Sequence, residues 1–319
     1  MSQPGSRPHS RLWAVTSYFN PERYQRRHAN YHTFRRHLNV PLVTVEQGFD
    51  GHFELETNDA DVLVRVEGGD VLWQKERLLN VALGALPETC DAVAWLDCDI
   101  VFDDAGWARA ALVALEQYPI IQPFRILYDL PRDMTPETAR ARPPRSVRVS
   151  LACQMMSGPL PREVFHTQGS SLKFGYTPGH AWAARRSLLS AHGLYDAMIM
   201  GSGDKLMASA AFGYADGPVA AYDLNPRQAR HYLEWAAPFV DSVSGQVGFV
   251  DHSIFHLWHG DLSKRRYHDR YHDFSRFDFD PYKDISLTAS GCWGWSSDKP
   301  DLHRYVRQYF AERGEDGDS

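Results

Sequence analysis

The sequence predicts an α/β fold, a mostly parallel sheet flanked by helices, with the C-terminal part of the chain wrapped over it. Three observations predict this. Apolar runs of strand length alternate with amphipathic runs of helix length through the first 118 residues. The breaks between them are short and carry turn residues. Chemistry-bearing side chains gather where the apolar runs end, the edge of a parallel sheet at which ligands bind.

The elements follow in order. LWAVTSYF (12–19) reads as a first strand ending at the turn signal Asn20-Pro21. ERYQRRHANYHTFRRHL (22–38) has Tyr24, Tyr31, Phe34 and Leu38 near helical spacing. PLVTVEQ (41–47) is a second strand, and VLWQKERLLNVALGAL (71–86) a helix stopped by Pro87. AVAWL (92–96) is apolar on both faces, as a central strand must be, and AGWARAALVALEQY (105–118) is the next helix. PIIQPFRILYDL (119–130) reads as one more strand, and the Pro- and Arg-rich PRDMTPETARARPPR (131–145) as a surface loop over the site. GHAWAARRSLLSAHG (179–193) reads as a strand entering a helix that Gly193 closes, and DHSIFHLWHGD (251–261) as a strand dense in histidine. From about residue 262 a Tyr-, Asp- and Arg-rich segment is expected to wrap the core, with residues 1–10 and 312–319 as flexible tails.

The 319 residues, 43% of them hydrophobic, suffice for one large domain. A net charge of −6 argues against a protein that coats duplex nucleic acid, while leaving room for a local basic groove. Cys90, Cys98, Cys153 and Cys292 form no CxxC pair and read as reduced thiols. The polar start MSQPGSRPHSR has no apolar stretch after it, and no run reaches membrane-spanning length, so a soluble, cytoplasmic protein is expected.

Four clusters carry chemistry. Asp97 and Asp99 close the AVAWL strand. Residues two apart in a strand share a face, and two hard oxygen donors suit Mg²⁺ or Mn²⁺. An isolated Asp-x-Asp is more often a pair of turn residues, but the buried strand before it and Asp103-Asp104 after it favour a site. His252, His256, His259 and Asp261 form the second cluster; His259, at the strand's end, is the first choice of metal ligand and His256 the second. Each histidine taken alone reads more readily as packing than as a ligand. In MIMGSGDKLMASAAFG (198–213), Asp204 follows three small residues and opens an Ala-rich helix, as a helix cap or as an open carboxylate. In Trp73-Gln74-Lys75-Glu76-Arg77 an aromatic beside a cation could stack a base and meet a phosphate, or simply begin an amphipathic helix.

In this order the clusters resemble the inverting GT-A glycosyltransferases, in particular the β-1,4-galactosyltransferase-like and family 2-like group. The resemblance spans residues 12 to about 270, and its weight lies in the ordered set. It implies a GT-A domain over 11–275 with a C-terminal extension, 276–311, packed on it. It further implies nucleotide contacts at Thr16, Ser17 and Tyr18, a stacking aromatic at Trp73 and a phosphate-contacting Lys75. Asn80 falls in the family's Leu-Leu-Asn helix. Asp97 and Asp99 match its Asp-x-Asp, with the second carboxylate the more direct metal ligand; His259 matches its histidine ligand and Asp204 its catalytic base. The chain departs from the family in its acidic motif, here only Gly-Ser-Gly-Asp-Lys. The implied activity is metal-dependent transfer, with inversion, of a sugar from a nucleotide-sugar donor, with UDP-sugars the expected class. The acceptor would be a glycan or another hydroxyl compound. Two rivals stand beside it: a metal-dependent nucleotidyltransferase, which would need a Gly-rich basic loop where SYFNPERY stands, and a non-catalytic nucleotide- or carbohydrate-binding protein.

Overall fold

The computed structural model describes residues 11–158, 164–266 and 269–317. The tail expected over residues 1–10 lies outside the described residues, as do residues 318–319.

The first apolar run forms β1 (Leu12–Phe19), buried except at Trp13. Helix α1 (Gln25–His37) starts later than its pattern suggests, because the Asn20 side chain binds the Tyr24 N–H at 2.9 Å and the Tyr24 carbonyl at 3.1 Å and holds 20–24 as a turn. Strands β2 (Leu42–Gln47) and β3 (Val62–Val66) follow. Helix α2 (Lys75–Gly84) also starts late, since the Trp73 N–H is drawn to the Ile199 carbonyl at 2.9 Å and keeps Trp73 in the preceding loop. Next come β4 (Ala92–Leu96), wholly buried, β5 (Ile100–Phe102) and α3 (Trp107–Gln117).

The run expected as one strand over 119–130 is two, β6 (Ile120–Gln122) and β7 (Ile126–Asp129). Pro123 between them has no N–H for a ladder, so the chain breaks there and enters a different sheet. Strand β8 (Ser146–Ser150) runs into α4 (Leu151–Ser157). After α5 (Ser170–Phe174) come β9 (Tyr176–Thr177) and β10 (Ala181–Arg185), with α6 (Arg186–His192) ending at Gly193. Helices α7 (Gly203–Ala211), α8 (Gly217–Ala221) and α9 (Pro226–Val243) precede β11 (Val247–Phe249) and β12 (Ser253–His256). The C-terminal part supplies α10 (Arg270–Ser275), the hairpin β13 (Ile285–Leu287) and β14 (Trp293–Trp295), and α11 (Pro300–Ala311).

The central sheet has seven strands in the order β11-β6-β10-β4-β1-β2-β3, all parallel except β10, which lies antiparallel to both its neighbours. Its two faces carry separate cores. Val15, Val43, Val93 and Trp182 pack under α2, α7 and α9, while Ala14, Leu42, Ala94 and Ala183 pack under α1 and α3 through Tyr31, Phe34 and Trp107. A second sheet, β5-β12-β7-β8-β9, stands beside it. The short segment Asp97-Cys98-Asp99 is where the chain leaves one sheet and enters the other, and it is a turn, not strand. The Asp97 N–H binds the His180 carbonyl at 2.8 Å, and the Asp99 carbonyl accepts from the Leu257 N–H at 2.8 Å, so each sheet holds one end.

The last residues differ from the expected flexible tail. Arg313 and Glu315 are 3% and 1% exposed, because they meet charged partners under α1 and α11 that solvent would otherwise have to supply. The 131–145 loop is anchored by Met134 and Ala139 against Phe255 and Leu257. All four cysteines are free and buried, and no described helix is long and apolar enough to cross a membrane.

Trp182 is fully buried and stacks on Trp95 across the β10–β4 pair, ring centroids 6.4 Å apart. Trp182→Ala is expected to cost about 3–5 kcal/mol, read as a lower midpoint in urea unfolding.

Candidate active site

At the carboxyl end of β4 the side chain of Lys75, the first residue of α2, lies between two carboxylates. Its Nζ is 2.6 Å from Asp97 Oδ1 and 2.7 Å from Asp204 Oδ2. Burial opposes the ammonium charge, but Asp204 and Asp97 outweigh it and hold the lysine well above its ordinary pKa. Asp97 is pushed up to about 6 by burial, with Asp204 and Asp99 adding to this and Lys75 opposing it. Glu76, buried beside Gly203, is pushed up to about 8 by burial against the pull of Lys75.

Asp204 opens α7, after a turn in which Gly201 and Ser202 both take positive φ (87° and 78°). A Cβ at Gly179 would stand 2.9 Å from Asp204 Oδ2, so only glycine leaves room for this carboxylate where Lys75 holds it. Oδ2 is committed to Lys75; Oδ1 has no protein partner among the described residues, and Asp204 lines the cleft.

Asp99 faces a different group. His259 Nε2 lies 3.5 Å from its Oδ2, His256 Nε2 3.8 Å from its Oδ1, and the two imidazole Nε2 atoms 2.9 Å from each other. These three side chains form the one cluster of potential metal donors among the described residues. Asp99 Oδ1 is buried and without a hydrogen-bond partner. Hydrogen bonds from His256 Nδ1 at 2.7 Å and then from Arg148 at 2.7 and 3.0 Å hold Asp129 well below the usual carboxylate range despite its burial. The proton of His256 therefore sits on Nδ1, and its Nε2 offers a lone pair. His259 is arranged the other way. Arg265, a donor only, gives a hydrogen bond to His259 Nδ1, so the proton is on Nε2 and points at His256.

The surrounding cleft, about 210 Å³, is lined by Lys75, Lys205 and five arginines, Arg27, Arg148, Arg265, Arg270 and Arg313, against the carboxylates of Asp97, Asp99 and Asp204. Asp129 and Glu315, just behind this lining, pair with four of the arginines, and the cations still outnumber the carboxylates. Lys205 is pushed down to about 8 by burial, and its Nζ donates to the Val164 carbonyl and the Tyr176 hydroxyl, both at 2.8 Å.

Of the residues singled out by sequence, Ser17, Trp73, Lys75, Asp97, Asp99, Asp204, His256 and His259 line this one cleft. Thr16 does not: its hydroxyl donates to the Leu96 carbonyl at 2.7 Å between β1 and β4. Tyr18 points to the opposite core and gives its hydroxyl to Glu54 at 2.6 Å. Asn80 clamps α2 to the loop after α6, donating to the Leu194 carbonyl and Asp196 at 2.8 and 2.9 Å and accepting from the Leu194 N–H at 2.8 Å. His252 and Asp261 also lie off the cleft, as does every residue of the 131–145 loop. Asp97 and Asp99 do not share one partner, because the turn between two sheets separates their directions. Sequence reasoning missed the five arginines and His180. His180, at φ 76°, sets its Nδ1 3.7 Å from Asp97 and its ring 4.6 Å from that of His256, and is held well below its ordinary pKa chiefly by burial, with the nearby Arg148 adding to this. Its place just before the β10 run was a usable signal; the scattered arginines had none.

No protein-family model matches the chain, and no curated protein does. Among solved structures, S. aureus TarS 1–349 in complex with UDP-GlcNAc is 12% identical with a TM-score of 0.35, over 62% of this chain and 53% of that one. Glucosyl-3-phosphoglycerate synthase from Mycobacterium tuberculosis, in complex with Mn²⁺, UDP and phosphoglyceric acid, is 10% identical with a TM-score of 0.36, over 97% of this chain and 80% of that one. The 4-diphosphocytidyl-2C-methyl-D-erythritol synthase of Anaerococcus prevotii DSM 20548 is 10% identical with a TM-score of 0.32, over 76% and 88%. Likenesses this distant carry no functional conclusion.

Because Asn80 makes its bonds away from the cleft, Asn80→Ala is expected to lower stability by about 1–3 kcal/mol, the cost of unpaired buried polar groups. Nucleotide affinity should stay unchanged. Chemical denaturation and a nucleotide titration on the same preparation check both halves.

Proposed function

We propose that the chain is a metal-dependent glycosyltransferase that moves a sugar from a nucleotide-diphosphate donor, of the UDP-sugar class, to an acceptor hydroxyl with inversion. The observation that carries this reading is the convergence in one cationic cleft of a Lys75-bridged Asp97/Asp204 pair and the Asp99/His256/His259 cluster. A cluster of acid and imidazole donors beside a surplus of fixed cations suits a diphosphate leaving group.

The residues fit a divalent ion. Asp99 Oδ1 is a buried acceptor without a partner, and His256 Nε2 presents a lone pair beside it, a mixed oxygen and nitrogen set suited to Mn²⁺, with Mg²⁺ the harder alternative. Asp99 and His256 would hold the ion first; His259 would join only when Arg265 releases its Nδ1. Asp97 would act through Lys75 and not as a direct ligand. The bound ion supplies Lewis-acid stabilisation of the departing diphosphate.

Asp204 is the base. Its Oδ1 faces the cleft, and the Lys75 ammonium orients the carboxylate by holding Oδ2 at 2.7 Å. The acceptor hydroxyl gives its proton to Oδ1 as its oxygen bonds to the anomeric carbon. The bond from that carbon to the phosphate oxygen breaks, and its electron pair leaves with the diphosphate, whose charge the arginines face. Ser17, near the end of β1, lines the same cleft.

A panel of nucleotide sugars with Mn²⁺, scored for release of nucleoside diphosphate, tests the reading; release of pyrophosphate from a nucleoside triphosphate would favour the nucleotidyltransferase instead. Chelator should abolish turnover and Mn²⁺ restore it. His256→Ala should lose more Mn²⁺ affinity than His259→Ala by titration calorimetry, and the reverse order would remove the proton assignment above. Asp204→Asn should bind nucleotide nearly normally yet turn over on the order of 10²–10⁴-fold more slowly, with product stereochemistry read by NMR.

A further inference from the structure

The turn over residues 313–316 borders the cleft through Arg313. Glu315 is buried and ionised, pushed down to about 2 because Arg27 and Arg265 outweigh its burial. It binds Arg27 at 2.8 and 3.0 Å, Arg313 at 2.8 Å and Arg265 at 3.3 Å. Asp316 secures the same turn by accepting the backbone N–H groups of Gln25 and Arg26 at the start of α1, at 3.2 and 2.7 Å. One carboxylate among three guanidiniums leaves a surplus of positive charge, and all three arginines line the cleft.

Arg313 is held by Glu315, Tyr309 and Trp73. Its guanidinium carbon lies 5.0 Å from the centre of the Trp73 ring, where a stacked base would otherwise rest. Nε is given to Glu315 and Nη1 to the Tyr309 hydroxyl at 3.1 Å, while Nη2 has no protein partner among the described residues. The Trp73 ring is in turn held edge-on by Phe19 and stacked by Phe310, at 5.5 and 6.4 Å. A planar cation fixed between the Trp73 and Tyr309 rings, with one N–H edge open, matches a phosphate oxygen lying in the plane of that edge.

We infer that Arg313 is a diphosphate-binding residue of the donor site, carried there by the C-terminal turn, with Trp73 and Glu315 as the residues that position it. This rests on the transferase reading above. Trp73 then acts by holding Arg313 and not by stacking a base itself.

The test is calorimetric titration of UDP and of inorganic pyrophosphate onto the full chain, with a thermal melt of each variant. Removal of Arg313 leaves Glu315 paired with Arg27 and Arg265, so Arg313→Met is expected to fold. It should weaken both ligands about tenfold or more, the loss of one charge-assisted contact. Arg313→Lys keeps the ion pair with Glu315 and serves as the second, more conservative variant; it should fall between Arg313→Met and the parent, because an ammonium cannot reproduce the planar, stacked contact. A parent protein that binds both ligands, with folded Met or Lys variants that bind them equally well, overturns the inference. A parent protein that binds neither overturns the transferase reading itself.

Discussion

The site depends on one buried ammonium. Lys75 ties the end of the central strand β4 to the first turn of α7, two segments more than a hundred residues apart, through Asp97 and Asp204. An ammonium taken out of water is costly unless paired, and here two carboxylates share it, so each of them helps to keep Lys75 in place. The constraint also explains the small residues around it. Gly179 and the positive-φ turn at Gly201 and Ser202 are what allow the Asp204 carboxylate to approach.

A second constraint is the passage of the chain between two sheets. Leu96 ends β4 in one and Ile100 starts β5 in the other, so three residues must turn through the gap while both flanks stay hydrogen-bonded. That turn sends Asp97 toward Lys75 and Asp99 toward the histidines. Two carboxylates that look equivalent in sequence thus meet different partners: one joins Lys75 beside Asp204, the other stands with the imidazoles of His256 and His259.

The C-terminal segment completes the enclosure. Ionised Glu315, Arg265 and His259 form a chain of contacts that reaches from the last turn to the imidazole cluster. The far end of the sequence is therefore part of the cleft wall, and the protonation pattern of the two histidines is set by residues on opposite sides, Asp129 for His256 and Arg265 for His259.

Sequence by itself determined the elements whose signal is periodic and local. The boundaries of β1 and β4 were legible as apolar runs, the closing Gly193 as a helix stop, and the positions of Lys75, Asp97, Asp99 and Asp204 from their place at the ends of such runs. Only the tertiary structure decided which partners those side chains meet. Arg27, Arg148, Arg265, Arg270 and Arg313 come from separate segments and obey no spacing, so nothing local distinguishes them from surface cations. Thr16, Tyr18 and Asn80 sat in suggestive positions yet were claimed by backbone carbonyls and other side chains outside the cleft. A strand or helix is written by neighbours along the chain; the identity of a charge's partner is written by packing, and that is settled only when distant segments close on one another.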